Sequence, residues 1–262
     1  VQFAVSMTYA LIAGNASIVR VSNKEFAQVG IICETVREAL RNKCRNMIPY
    51  VCIIRYDYDD DITAALSAVC DIRMIWGGDG TIAAIRKAKV SPRCVDIGFA
   101  DRYSIAVIDS DKYLTMDADA EANDFYTDTY YSDQNACSST RLVVWTGVQA
   151  DEAKKVFWDS LDRIVQKKYD MSAISSSNKL LQTAVVAAHH PGIRQVKKDN
   201  LCVRVELPEL YDDIMEYKGN CGYFFEYMAN DLEELIPLFG KECQTVTYIG
   251  DDIPVRLRKI IQ

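Results

Sequence analysis

Apolar and polar positions alternate along this chain in two rhythms. Residues 3–12 repeat apolar positions at helical spacing and stop at the turn pair Gly14-Asn15. Residues 17–21 make a short apolar run that reads as a buried strand. Residues 24–45 carry Phe26, Val29, Ile32, Cys33, Val36 and Leu40 on one stripe, which predicts a long amphipathic helix. Strand-like runs follow at 50–55 and 72–76, with a helix capped by Asp60 and reaching about residue 69 between them. Gly77-Gly78-Asp79-Gly80-Thr81 opens another helix, to about residue 87. Strand patterns near 94–97 and 104–108 complete this half.

After residue 109 the texture changes. Asp117, Asp119, Glu121, Asp124 and Asp128 form an acidic helical approach to the polar stretch 133–139. A second series starts at Leu142, with helices near 151–168 and 176–188 and strands near 201–206, 223–228 and 245–249. This β-α rhythm predicts an α/β protein with a parallel sheet covered by helices, Rossmann-like in its first half. We divide the chain into domains 1–108 and 109–262, with no long linker and no internal repeat.

Bulk numbers narrow the function. Of 262 residues, 49% are hydrophobic, enough for a large core. The net charge is -7 and there is no basic run, which argues against nucleic-acid binding. No apolar run reaches the roughly 18 residues of a membrane span. Nine cysteines without a C-x-x-C spacing fit free thiols in a reducing cytoplasm, and two adjacent histidines, His189 and His190, give no metal framework. They fall at a helix end, where a histidine suits the dipole. The chain opens at Val1 inside an apolar segment and closes in a helical pattern at Gln262, so we expect both ends to be cut.

Three places carry chemistry. Cys137 stands among small polar residues just before Leu142-Val143-Val144-Trp145, whereas Cys33, Cys52, Cys70, Cys94 and Cys202 lie in or beside apolar runs. A thiol on a loop is open to substrate, and its thiolate is the nucleophile. Neighbouring backbone N–H groups and the Asn135 side chain would serve a developing oxyanion. Gly77-Gly78 lets backbone approach a phosphate at a helix N-terminus, or is a plain tight turn. The string GGDGT also occurs in lipid and NAD kinases, which keeps a kinase open, as it does a noncatalytic scaffold. Arg20 and Ser22 place a cation and a hydroxyl at a strand's C-terminal end, where ligands bind in α/β sheets.

The string Asp133-Gln134-Asn135-Ala136-Cys137-Ser138-Ser139 resembles the nucleophile loop of the LuxC-type acyl-CoA reductases, within the aldehyde dehydrogenase superfamily. Leu11-Ile12-Ala13-Gly14-Asn15 with Ile18-Val19-Arg20-Val21-Ser22 resembles the superfamily turn and strand that lead to a Lys-Pro-Ser. Arg20 stands at that lysine, which reaches the adenosine ribose or its phosphate, and Ser22 at the serine. Ile75-Trp76-Gly77-Gly78 resembles the turn facing the cofactor pyrophosphate. Asp101-Arg102-Tyr103-Ser104 resembles the segment closing the cofactor domain, and Asn220-Cys221-Gly222-Tyr223 the late Phe-Gly-Pro region.

The resemblance implies an aldehyde-dehydrogenase-like fold, with an NADP-binding domain before a catalytic domain that carries Cys137. It implies NADPH-dependent reduction of a long-chain acyl thioester, from CoA or an acyl-protein, to a fatty aldehyde that feeds luciferase or a related pathway. Acyl-protein synthetase and acyl-transferase subunits become candidate partners, in a homo-oligomeric cytoplasmic enzyme. Departures from the pattern also inform. Gly98-Phe99-Ala100-Asp101 holds no glutamate where acid-forming relatives keep a base for water, which fits a reductase. Gly219 stands at a ribose-binding glutamate, and Asp79 replaces a hydroxyl at the pyrophosphate turn. On this resemblance the superfamily's oxyanion asparagine is expected upstream of Val1.

Overall fold

Local chemistry sets the ends of the helices. The computed structural model describes residues 2–23 and 26–261. They fall into two compact units, Val1–Ala100 and Asp101–Gln262.

In the first unit, α1 (Gln2–Ile12) ends where Gly14 takes φ +81° and Asn15 N donates to Ala10 O at 2.9 Å. Only glycine adopts that left-handed cap without strain. Strand β1 (Ser17–Arg20), helix α2 (Ala27–Asn42) and strand β2 (Val51–Ile54) form one βαβ unit with parallel strands. Helix α3 (Asp60–Val69) leads to β3 (Ile72–Trp76), α4 (Asp79–Arg86) and β4 (Val95–Phe99), a second such pair. Both ladders are parallel.

Several expectations shift here. The long helix of 24–45 stops at Asn42, and a 3-10 turn containing Pro49 (Arg45–Tyr50) delays the next strand to Val51. Its expected first residue, Lys24, lies outside the described residues. The cap of α3 is Asp59, not Asp60: Asp59 has extended backbone and accepts from Ile62 N at 2.8 Å. Strand β1 is not buried throughout. Alternate residues face out, with Ile18 half exposed, because each two-stranded ladder buries one face. On β3 and β4 the outward residues are apolar, and Trp76 stacks on Phe99 at 3.9 Å between ring centroids. Inside, Arg73 ties the elements together through Asp96, Ser67 Oγ and Ala88 O.

The second unit holds β5 (Tyr103–Asp109), α5 (Ser110–Tyr113), α6 (Ala118–Thr129) and β6 (Thr140–Thr146). Then come α7 (Ala150–Lys168), α8 (Ala173–His189), β7 (Arg194–Lys197) and β8 (Val203–Glu206). Strands β9 (Tyr223–Met228) and β10 (Cys243–Ile249) and helix α9 (Ile253–Ile261) complete it. Six strands run in the order β10-β5-β6-β9-β8-β7, parallel except for the antiparallel edge strand β7. Strand β5, expected to end the first half, is central in this sheet, between β10 and β6. The compact units therefore divide ahead of it, at Ala100, not at 108.

Both faces of this sheet are covered, so its central strands are apolar on both sides. Leu142, Val144 and Phe225 point into one core, Val143, Trp145 and Phe224 into the other, under Phe157 and Leu161 of α7. Burying each such side chain contributes about 2 kcal/mol. Two charged side chains, Glu226 and Lys179, lie inside this unit among the described residues. Glu226 accepts the indole N–H of Trp145 at 2.9 Å and of Trp158 at 2.6 Å, and pairs with Arg204 at 3.2 Å. These partners replace the water that the carboxylate gives up.

Candidate active site

The loop entering β6 is built from bonded polar groups around an exposed thiol. A 3-10 turn after α6 (Tyr130–Ser132) feeds Asp133 and Gln134, at φ 52° and 58°. Gln134 N donates to Thr129 O at 2.8 Å, and Asn135 N to Ser132 O at 2.9 Å. Ser139 N then donates to Ala136 O at 3.0 Å, so Cys137 and Ser138 occupy the tip of a turn. Ser104 Oγ donates to Cys137 O at 2.8 Å, which anchors the tip to β5. Ser139 is buried and donates to Asp128 O at 2.7 Å. The Cys137 side chain remains exposed. Exposure alone does not single it out, because Cys52 is exposed too, on strand β2. What distinguishes Cys137 is the pinned backbone beneath it.

Gln134 does most of that pinning. Its buried amide makes four hydrogen bonds: Oε1 accepts from Gly222 N and Tyr223 N at 3.0 Å, and Nε2 donates to Thr140 O and Tyr223 O at 2.8 Å. Asn220, Cys221 and Gly222 are all left-handed as well. Cys221 N donates to Asp133 O at 3.0 Å. Two strained turns thus close on each other beside the thiol.

Asn135 has a different place from the one expected. Its Nδ2 donates to Ser132 O and Asp133 O, each at 3.2 Å, and its Oδ1 accepts from Asn220 at 2.7 Å. Both amide hydrogens are spent inside the loop, so the side chain shapes the turn and leaves no donor for an oxyanion. Tyr169 Oη donates to Asp133 Oδ1 at 2.7 Å; burial and that carboxylate push its phenol well above the usual range.

Arg141 was not anticipated. Ser104 pairs with Thr140 and Ile105 with Leu142, so Arg141 is the extra residue of a β-bulge, a feature that re-aims side chains. It is half-buried, and its Nε has no hydrogen-bond partner among the described residues. Burial lowers its pKa, while Asp101 and Cys137 act in the opposite sense. Asp101 also pairs with Lys218 at 2.6 Å. A charged residue at the start of an apolar strand was the available sequence signal for Arg141. Gln134 and Asn220 gave none.

The expected cofactor residues lie at strand ends of the first unit. Arg20 is the last residue of β1. Its Nη2 donates to Tyr56 O at 3.1 Å, and its guanidinium lies 4.7 Å from the Tyr56 ring and 5.8 Å from that of Tyr58. Ser22 follows two residues on and is exposed. Gly77 and Gly78 follow β3. Gly78 is the N-cap of α4 and provides no side-chain cap, so backbone N–H groups there suit a pyrophosphate. A Cβ on Gly77 would stand 3.0 Å from Thr81 Cγ2, so the turn is tight. Asp79, in the first turn of α4, opposes an anion. Arg20 and Ser22 thus lie at the end of β1, and Gly77 and Gly78 just past the end of β3. Among the described residues no cluster of His, Cys, Asp or Glu could hold a metal.

A family model described as acyl-CoA reductase (LuxC) matches residues 1–188, a span that includes GGDGT and displaces the kinase reading. No curated protein matches the sequence. Solved structures share the fold. An NAD-dependent benzaldehyde dehydrogenase from Corynebacterium glutamicum is 12% identical, with a TM-score of 0.68 over 97% of this chain and 57% of that one. An aldehyde dehydrogenase from Bartonella henselae is 14% identical, with a TM-score of 0.69 over 97% and 56%. A variant of proline utilization A from Bradyrhizobium japonicum is 17% identical, with a TM-score of 0.69 over 99% and 28%. The chain therefore spans little more than half the length of the two dehydrogenases.

Proposed function

Because this chain belongs to the acyl-CoA reductase (LuxC) family, with the aldehyde dehydrogenase fold, we propose that it reduces a long-chain acyl thioester to the fatty aldehyde through Cys137. The observation that carries this reading is the exposed Cys137 thiol on a turn closed by Ser139 N on Ala136 O and anchored by Ser104 Oγ on Cys137 O. A nucleophile held so rigidly meets a carbonyl with little loss of orientational freedom.

The Cys137 thiolate attacks the thioester carbonyl, and the C–S bond to CoA or to the acyl-protein breaks. The departing thiolate leaves the acyl group on Cys137. Bound NADPH would supply the hydride that reduces this enzyme thioester. The hemithioacetal oxyanion so formed collapses: its C–S bond breaks, and aldehyde and the Cys137 thiolate part. Asn135 holds the turn in shape for these steps. Arg20 and Ser22 would hold the adenosine end of the nucleotide, and Gly77 and Gly78 its pyrophosphate. Arg20 would meet a 2′-phosphate, which supports NADPH over NADH. The stretch 98–101 carries no glutamate to activate water, so the acyl group is kept for hydride. Candidate partners are an acyl-protein synthetase and an acyl-transferase subunit, with the enzyme a cytoplasmic homo-oligomer. No described helix is long and apolar enough to cross a membrane.

The test is to incubate the protein with long-chain acyl-CoA and read the intact and peptide masses. Acylation should map to Cys137 and be discharged by NADPH with release of aldehyde. Aldehyde formation by Cys137→Ala at the wild-type rate would sink the reading.

A further inference from the structure

Two thiols away from the proposed chemistry lie close together. Cys70 follows the last turn of α3, and Cys94 immediately precedes β4. Their sulfurs are 3.9 Å apart. Val95 N donates to Asp71 O at 2.9 Å, and Ile72 pairs with Val95, so the two cysteines sit just ahead of a hydrogen-bonded strand pair. The register sets Cys94 opposite Asp71 and Cys70 one residue diagonally away, so the two sulfurs approach across the entry of the strand pair, and side-chain rotation would close the remaining gap. Both thiols are half-buried, Cys70 donating to Ser67 O at 3.2 Å.

We infer that Cys70 and Cys94 form a reversible oxidation site, at which hydrogen peroxide converts the two thiols to a disulfide that staples the end of α3 to the entry of β4. One thiolate attacks the peroxide oxygen; the O–O bond breaks, giving a sulfenic acid and one water. The second thiol attacks that sulfur; the S–O bond breaks, the S–S bond forms and a second water leaves. Two electrons pass to the peroxide, and the thiol protons end in water. A dithiol reverses the change. The closed loop contains β3, the Gly77-Gly78 turn and α4. The staple sits at the entry end of β3 and the glycine turn at its exit, so the glycine turn stays open. Burial and the neighbouring Cys94 push the Cys70 thiol up, which makes this pair slower to react than an exposed thiol.

The experiment uses the full chain carrying Cys137→Ser, so that the exposed nucleophile does not consume oxidant. It is treated with hydrogen peroxide, blocked with N-ethylmaleimide and digested without reductant. A cross-linked peptide pair joining Cys70 and Cys94 is expected, two hydrogens lighter than its parts and lost on adding dithiothreitol. It should be absent from Cys94→Ala and from Cys70→Ala, and give way to mixed pairings when the chain is oxidised in urea. The oxidised native protein should melt several degrees higher, reversibly. Recovery of both cysteines as separate maleimide adducts or higher oxides, or an unchanged Tm, would overturn the inference.

Discussion

Asn220 donates its side-chain amide to Asn135 Oδ1 at 2.7 Å, joining residues 85 positions apart. The contact ties the turn that carries the thiol to the left-handed turn before β9. Removing it should change placement more than stability, because Asn135 is exposed and Asn220 only half-buried. For Asn220→Ala we expect a loss of about 1 kcal/mol in unfolding free energy, because alanine suits the left-handed backbone at φ 49° less well than asparagine, and aldehyde formation reduced about tenfold. Iodoacetamide labelling of Cys137 should proceed at the wild-type rate, separating misplacement from loss of the thiol.

Gly222 is demanded by both conformation and space. Its φ is +84°, and a Cβ there would stand 2.2 Å from Leu201 O and 2.4 Å from Tyr130 Oη. Gly222→Ala should destabilise the protein by at least about 3 kcal/mol, read from urea unfolding followed by circular dichroism. A loss below about 1 kcal/mol would mean that the turn relaxes at little cost.

Asp79 sets one negative charge at the N-terminus of α4, where a pyrophosphate would bind. Like charges near a surface cost on the order of 1 kcal/mol, or about fivefold in affinity. Asp79→Ser should therefore tighten NADPH about fivefold, measured by the fluorescence of the bound nucleotide. The gain should shrink in high salt. Weaker binding by the serine variant would place the pyrophosphate elsewhere.

Lys179 is 2% exposed, and its Nζ donates to Asn200 O at 2.6 Å. Burial pushes its pKa down from 10.5 to about 8. Between those values the unfolded chain binds more protons than the folded one, so this lysine makes stability rise with pH there. Tyr103 and Tyr113, pushed up to about 12 by burial, act oppositely above pH 10. The difference in unfolding free energy between wild type and Lys179→Met isolates the lysine. That difference should move in favour of wild type by about 2 kcal/mol from pH 8 to 10.5. A flat difference would show that Lys179 titrates normally.

Much of this was legible from residue pattern, and the exceptions share a cause. The apolar run Leu142-Val143-Val144-Trp145, taken as the start of the second series, lies in strand β6, which is covered on both faces. Small polar neighbours marked Cys137 as a loop thiol, and the structure exposes it. Strand β5 was assigned to the wrong half because chain order does not reveal which strands become neighbours. Strand β7 was missed because Arg194-Gln195-Val196-Lys197 has no apolar run, as an edge strand can afford. The role of Asn135 was unreadable because its partner Asn220 lies so far along the chain.

The meeting of the two left-handed turns also sets an order of assembly. A ribosome releases Cys137 well before Asn220, Cys221 and Gly222, which Gln134 and Asp133 need as partners. During that interval the emerging chain carries the cysteine on an unpinned turn. The placement of Cys137 is therefore a property of the completed second unit, and a nascent or truncated chain ending before residue 220 should leave that turn without its Gln134 and Asp133 anchors.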